Sequence, residues 1–435
     1  MLNYIEFQKH LNNYLLLAFS FFITTSYFAI TNFIVLLLVL SWITDFRFYK
    51  KIIFLKKQPF ILIIILFLLY SLISIFWSGN FLLNGTLKKQ LALLFLPILL
   101  TTRFSVGIFQ KAELGFVFGI FCNIVLSIIT IFSPNNIFFK TGHYDNALFA
   151  HGFIDHFEYS IFLCFGLFII ISFFLRYHNY RIQLICLFLI FLVALLNSYG
   201  RVGILSFFLF CPFFLYFKLK LKFINIFLSF FTIIVCSYTF FSPFQNRVLQ
   251  TIDEVSLLYN GMSLEKKILQ DAIYLNEKNS DYSTDYYINK IKADDFWVKS
   301  IMNKTPRYDT SLGKRYLYTV NSLALISDYW LFGIGSGGFS KAYYNNYNKL
   351  ERNPHNNYLL ILVEQGIIGL FIFVSIFLFQ IKLFFVGKKN IYKFILPLLF
   401  LFIMFFDVYM LNQNTLYFFC LFTLILYHKD LLLDT

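Results

Sequence analysis

Charge is scarce in this 435-residue chain: only 13% of residues are Asp, Glu, Lys or Arg, about half the share of an ordinary soluble domain. Acid is scarcer than base, with 22 Asp and Glu against 36 Lys and Arg. Cysteine is sparse too, and Cys122, Cys164, Cys186, Cys211, Cys236 and Cys420 all fall inside apolar runs. None has metal-ligand spacing, and none lies in the long polar stretch where an oxidising compartment could pair it. They read as small packing residues. Several signatures are missing as well: a Walker loop, a dinucleotide fingerprint, a Ser-His-Asp signature and an Asp-x-Asp metal pair. No nucleotide is therefore expected as a cofactor. The net charge of +14 does not point to nucleic acid, because no basic stripe with interleaved aromatics stands on a recognisable fold for it. An N-terminal cleavage site of small residues is also lacking, so the first apolar segment is expected to be retained.

What the chain has in abundance is apolar mass. Hydrophobic residues make up 59%, and Phe alone supplies 62 positions. Runs such as 59–77 and 202–217 are apolar all round, without helical or strand alternation, which is the pattern of lipid-facing helices. About 20 such residues cross a bilayer. Spans are expected near 12–30, 31–45, 59–77, 87–101, 106–132, 158–175, 182–197, 202–217, 221–242, 356–381, 391–411 and 413–428. The fold class is thus an all-α polytopic membrane protein of about 12 transmembrane helices.

Orientation follows from the basic residues of the short loops. Arg47, Lys50, Lys51, Lys56 and Lys57, then Arg103 and Lys111, Arg176 and Arg181, Lys218, Lys220 and Lys222, and Lys382, Lys388, Lys389 and Lys393 all fall on one side. The short loops of the opposite side hold only Lys88, Lys89, Lys140 and Arg201. Both termini are expected in the cytoplasm, and the large loop outside. The organisation is then a bundle of about nine helices (1–242), a large periplasmic loop (243–355), and about three more helices with a short tail (356–435). Within the loop, apolar spacing over 248–276 predicts helix. An amphipathic run (311–330) and a glycine cluster (Gly333, Gly335, Gly337, Gly338) precede its return to the membrane.

Polar groups at membrane depth, and charges that break the loop rule, are the informative residues. Arg201 is a lone outward cation in the turn Asn197-Ser198-Tyr199-Gly200-Arg201-Val202-Gly203. Flanking glycines allow close backbone approach, which favours an anion site over simple snorkelling to the interface. Arg315, in Ser311-Leu312-Gly313-Lys314-Arg315, would alone read as a solvated loop cation. His355 lies in Asn353-Pro354-His355-Asn356-Asn357-Tyr358-Leu359. There Pro and Asn mark a helix start, whose partial positive charge favours a neutral imidazole able to act as a base. A capping or packing histidine is the alternative. Lys88 and Lys89 can contact a lipid phosphate or serve as interfacial anchors. Glu364 and Asp407 sit within spans, either as functional carboxylates or as counter-ions to a buried arginine. His143, His151, Asp155 and His156 cluster without a strong metal motif.

Three pieces in order carry a resemblance: Trp330-Leu331-Phe332-Gly333-Ile334-Gly335-Ser336-Gly337-Gly338-Phe339, then Asn353-Pro354-His355-Asn356-Asn357-Tyr358-Leu359, then Glu364-Gln365-Gly366-Ile367-Ile368-Gly369-Leu370. Together they resemble the O-antigen ligase and polymerase family. Ser198–Arg201 looks like that family's arginine motif with Tyr199 inserted, and Trp330 stands where the family usually has proline. The resemblance implies a GT-C-like fold and a glycosyltransferase with an undecaprenyl-diphosphate-linked glycan as donor, using neither metal nor nucleotide. It implies that Arg201 and Arg315 bind the diphosphate and that His355 assists the acceptor hydroxyl. Asn356 and Tyr358 belong to the same motif as supporting residues. Arginine suits that role physically, since its planar fork stays charged and meets phosphate oxygens in pairs. A ligase would deliver the glycan to a lipid A–core sugar; a polymerase would join carrier-linked repeats. One dominant outer loop favours the ligase. A transporter or flippase is the reading of another class, but no repeat relates the two halves.

Overall fold

Long apolar runs become long helices here, because in lipid only a helix satisfies its own backbone. The computed structural model describes residues 2–25, 28–78, 85–132, 154–198, 200–219, 222–260, 264–278, 283–294, 310–386 and 390–431, and these contain helices and turns but no strand. His143, His151, Lys140 and Tyr199 lie outside the described residues.

The chain opens with α1 (Leu2–Phe22), α2 (Phe28–Thr44) and α3 (Phe48–Lys57). Next come α4 (Pro59–Ile73), the single turn α5 (Ile75–Ser78), α6 (Gly85–Gln90) and α7 (Phe95–Thr101). Five longer apolar helices follow: α8 (Ile108–Phe132), α9 (His156–Arg176), α10 (Arg181–Asn197), α11 (Arg201–Leu219) and α12 (Phe223–Phe240). The polar stretch folds as α13 (Ser242–Asn260), α14 (Leu264–Lys278), α15 (Thr284–Ala293) and α16 (Ser311–Tyr329). The short α17 (Phe339–Tyr347) precedes α18 (Asn357–Val386), α19 (Ile391–Ile403) and α20 (Gln413–Leu431).

Among the described residues, six helices are long and apolar enough to cross a membrane, or eight if each of two bent helix pairs is one span. The protein is therefore a polytopic, all-helical membrane protein. The expected span at 87–101 is broken into α6, a 3-10 turn (Leu91–Leu94) and α7. The expected span at 391–411 stops being helical at Ile403. An apolar run sets where a chain can enter lipid, but not that it stays one straight helix.

Two compact units emerge: Met1–Phe244 with Leu325–Thr435, and Gln245–Ala324. In the first, the helix with polar residues at both ends turns out to be central. Every residue of α20 from Asn414 to Tyr427 is buried. Its Phe418 ring meets Phe162 and Phe165 of α9, both at 5.1 Å, and Phe419 meets Phe377 of α18 at 5.6 Å. Its polar groups are paired inside: Gln380 Nε2 donates to Thr423 Oγ1 at 2.9 Å, and Asn414 Nδ2 to Glu158 Oε2 at 3.1 Å. Helix α9 is similarly central, with 83% of its span buried against 17% for the span 178–197.

Small residues bring two helix pairs close. On α8, a Cβ at Gly115 would sit 2.6 Å from Ser20 Oγ of α1, and one at Gly119 would overlap Thr24 in the turn after α1. This is small-residue packing of the kind that lets membrane helices touch backbone to backbone. Likewise Gly200 and Gly203, at the start of α11, lie against Ser160 of α9 with no room for a side chain. In the second unit, Ile268 and Ala272 of α14 pack with Tyr287 and Ile291 of α15 as a small apolar core. There Glu254 accepts the backbone N–H of Leu312 at 3.3 Å, tying α13 to the start of α16.

Candidate functional site around His355

Within the first unit, the chain enters α18 through Asn353-Pro354-His355-Asn356-Asn357, and each asparagine has a local task. Asn353 Oδ1 accepts the N–H of His355 at 2.9 Å. Asn356 Oδ1 accepts the N–H groups of Tyr358 at 2.8 Å and Leu359 at 3.1 Å, capping α18. Between them His355 is held at φ +52°, a left-handed conformation that non-glycine residues rarely adopt and that surrounding structure must enforce.

That surrounding structure is the segment between α19 and α20. Asn356 Nδ2 donates to the carbonyl of Phe405 at 3.0 Å. The N–H of Asn357 donates to Met404 O at 2.9 Å, and its Oδ1 accepts the N–H of Met410 at 3.2 Å. Tyr358 Oη donates to Leu401 O at 2.6 Å, and its ring lies 4.5 Å from Phe405. Laced this way, the segment presents Asp407 to His355. His355 Nδ1 is 3.3 Å from each carboxylate oxygen. The Asp407 side chain is 16% exposed and that of His355 41%, so the acid is set behind the imidazole. A carboxylate only accepts hydrogen bonds, so Nδ1 carries the hydrogen and Nε2 is left as the basic nitrogen. A proton taken at Nε2 makes an imidazolium that Asp407 stabilises.

The same segment leads to the other predicted cations. Its 3-10 turn, Tyr409–Leu411, meets α9 through the Phe157 and Tyr409 rings at 5.9 Å, and Thr415 Oγ1 donates to Tyr409 O at 2.6 Å. The first turn of α9 in turn carries the start of α11, where Gly200 and Gly203 fit against His156 and Ser160. Arg201 lies with Val202 between those glycines. Helix α6, with exposed Lys88 and Lys89, packs against the 3-10 turn as well. Lys88, Lys89, Arg201, His355 and Asp407 are thus linked through α9 and the segment 404–412 of one unit. Arg315 lies in the second unit.

Glu364 has a different place. It is buried, and its carboxylate accepts the backbone N–H groups of Gly337 and Phe339 and the hydroxyl of Thr86. Its partners are thus backbone amides and a hydroxyl, where the sequence offered a buried arginine. The glycine cluster and the Glu-Gln-Gly motif form one structure. Gly366 leaves helical geometry at φ 65°, ψ −168°, which frees carbonyls of α18. Ile334 N–H then donates to Val363 O at 2.9 Å, Gly335 N–H to Glu364 O at 2.8 Å, and Ile367 N–H to Trp330 O at 2.9 Å. Gly333, Gly335 and Gly337 all have positive φ. Ser336 Oγ meets Ser74 Oγ at 2.7 Å, so the strap is also pinned to the end of α4.

Among the described residues, no group of three or more His, Cys, Asp and Glu side chains could hold a metal ion. Asp155 and His156, the described part of the predicted cluster, are the cap and first residue of α9.

Residues 186–374 match the model of a known family, O-antigen ligase. That segment is consistent with the O-antigen ligase and polymerase family. The matched residues take in Arg201, Arg315, His355, Asn356, Tyr358 and Glu364; Lys88, Lys89 and Asp407 lie beyond them. The match supports an O-antigen ligase or polymerase activity. No match was found among curated proteins. Asp407 is the residue that sequence reasoning placed least well: it stands 52 positions from His355, and no local spacing announces the pair.

Proposed function

We propose that this protein is an O-antigen ligase, moving a finished glycan from undecaprenyl diphosphate to a sugar hydroxyl of lipid A–core. The observation that carries the mechanism is the Asp407-backed imidazole on a strained, half-exposed corner at the start of α18. His355 Nε2 removes the proton as the acceptor oxygen bonds to the anomeric carbon of the donor. The bond from that carbon to the diphosphate oxygen breaks, and undecaprenyl diphosphate departs. Its growing negative charge is met by Arg201, Lys88 and Lys89, and the family resemblance gives Arg315 the same role. Fixed cations of this kind stabilise a leaving group without reorganising, and the loss of one such group costs on the order of 10²–10³ in rate.

In this reading the protein sits in the bacterial inner membrane with about twelve crossings in a GT-C-like arrangement. Both termini are cytoplasmic, and the site opens at the periplasmic face. Neither metal nor nucleotide enters the reaction. The test is purified protein supplied with carrier-linked glycan and rough lipopolysaccharide, with and without a chelator. Glycan joined to lipid A–core in both samples is the expected result. Longer carrier-linked chains with no transfer to lipid A–core would identify a polymerase instead, and product lost on chelation would remove the metal-free mechanism.

A further inference from the structure

The elbow between α2 and α3 holds a second charged site, built around Asp45. Helices 29–44 and 48–57 meet there at 108°. Arg47 grips the Asp45 carboxylate through Nε and Nη2, the latter at 2.8 Å. Arg103 Nη2 approaches the same carboxylate at 3.3 Å, and Lys51 Nζ at 3.5 Å. Three cations therefore share one acid. Asp45 is the acid that acts on Lys51 and on Arg103, and each of those two also feels the repulsion of neighbouring cations.

None of these cations is free to relax into water. Lys51 is fully buried, its Nζ donates to the carbonyl of Trp42, and it stands 4.5 Å from the Trp42 ring centre. The Arg103 side chain is only 14% exposed, and its Nε is buried without a hydrogen-bond partner. Burial pulls the Lys51 ammonium and the Arg103 guanidinium below their ordinary values, and Asp45 opposes this. The residues are also locked by uncharged neighbours. Asn12 Nδ2 holds Arg103 O at 3.2 Å, Asn13 Oδ1 holds the N–H of Ser105 at 3.0 Å, and Trp42 Nε1 donates to Thr101 Oγ1 at 2.7 Å. A surplus of positive charge in a rigid, partly buried place calls for a further anion, since an uncompensated buried charge is strongly unfavourable.

The surface of α3 indicates where that anion comes from. Tyr49 and Ile52 of α3 are exposed at 78% and 51% and lie one turn apart, and Phe46, in the elbow just before the helix, is exposed at 82%. Lys50, Lys56 and Lys57 are exposed beside them. A short helix turned sharply from a spanning one, with an apolar stripe flanked by lysines, lies in the headgroup layer of a bilayer. Basic residues at that depth attract anionic lipid. We infer that the Asp45–Arg47–Lys51–Arg103 cluster binds the phosphate of an anionic phospholipid headgroup, with α3 as its interfacial anchor. A guanidinium pair suits a phosphodiester because each fork can meet two oxygens. This site is independent of the chemistry at His355 and stands whichever glycan reaction the chain performs.

The test uses the full chain in nanodiscs of phosphatidylethanolamine, alone or with added phosphatidylglycerol. Native mass spectrometry counts retained lipid, and the thermal midpoint reports stability. The wild type retains phosphatidylglycerol and its midpoint rises with phosphatidylglycerol content. Arg103→Gln weakens retention about fivefold, the worth of one basic side chain near an anionic surface, whereas Arg103→Lys preserves it. Asp45→Asn removes the competing acid, so the folded fraction retains phosphatidylglycerol more strongly. A cluster serving structure alone would lose stability in both Arg103→Gln and Asp45→Asn regardless of lipid, which overturns the inference. Equal retention of phosphatidylethanolamine, or an equal rise in midpoint with inorganic phosphate, also overturns it.

Discussion

Two carboxylates near the start and end of the same structural knot do opposite things. Glu364 is enclosed and met by backbone amides and a hydroxyl, whereas Asp407, which also accepts the N–H of Val408 at 2.7 Å, faces an imidazole. Both stand in apolar runs and look alike in sequence. The difference is one of donors. Backbone amides cannot move or titrate, so a carboxylate bound to them fixes a shape; a carboxylate bound to histidine tunes a proton acceptor. In the proposed mechanism, the strap around Glu364 is thus a rigid frame, and the corner around His355 holds the proton acceptor that it supports.

Substitutions can break this contrast. The largest effect is expected at His355: His355→Ala should lower transfer by on the order of 10²–10⁴, the range of a general base. Its thermal midpoint should stay near that of the wild type, because the side chain is half-exposed. Turnover and melting of the same preparation check this, and a parallel loss of both would make His355 a packing residue. Asp407→Asn should follow, with a loss on the order of 10² in rate and little change in folding, because a carboxamide no longer stabilises the imidazolium.

The strap should answer in stability instead. Gly366→Ala forces a side chain onto a backbone at φ 65° and into the Leu331 carbonyl, so it should cost about 1–3 kcal/mol from conformation alone, with overlap added. Reduced yield of folded protein in detergent is the measure. Glu364→Gln leaves backbone donors with a weaker acceptor and should cost about 1–3 kcal/mol, its activity falling only as the folded fraction falls. Activity lost at full stability would move Glu364 into the reactive site. Asn356→Ala, which removes the cap of α18, sharpens the comparison with the smallest change, about 1 kcal/mol.

Much of the frame could be read before any coordinates. Apolar runs located the long helices. The break in composition located the polar stretch that contains the second unit. Asn-Pro-His-Asn announced a capped helix start, which the bonds from Asn356 to Tyr358 and Leu359 realise. Other features were invisible for definite reasons. The close contact of α1 with α8 depends on Gly115 and Gly119 facing Ser20 and Thr24, and spacing along one helix does not say which partner it meets. Burial of α20 on all sides contradicts its polar ends, because Gln380 and Glu158 of other helices supply the partners for Thr423 and Asn414.

The sequence by itself determined that this protein is helical and membrane-embedded, with scarce charges gathered at the ends of helices. That follows from the cost of unpaired backbone and bare charge in lipid, which acts on any arrangement of the chain. Tertiary structure alone decided what each charge became. It gave His355 its acid, gave Glu364 its amides, and drew Arg47, Lys51 and Arg103 to one carboxylate. Arg47 and Lys51 are near Asp45 in the chain, but Arg103, the acid of His355 and the partners of Glu364 are tens to hundreds of positions away, and only packing fixes such distances.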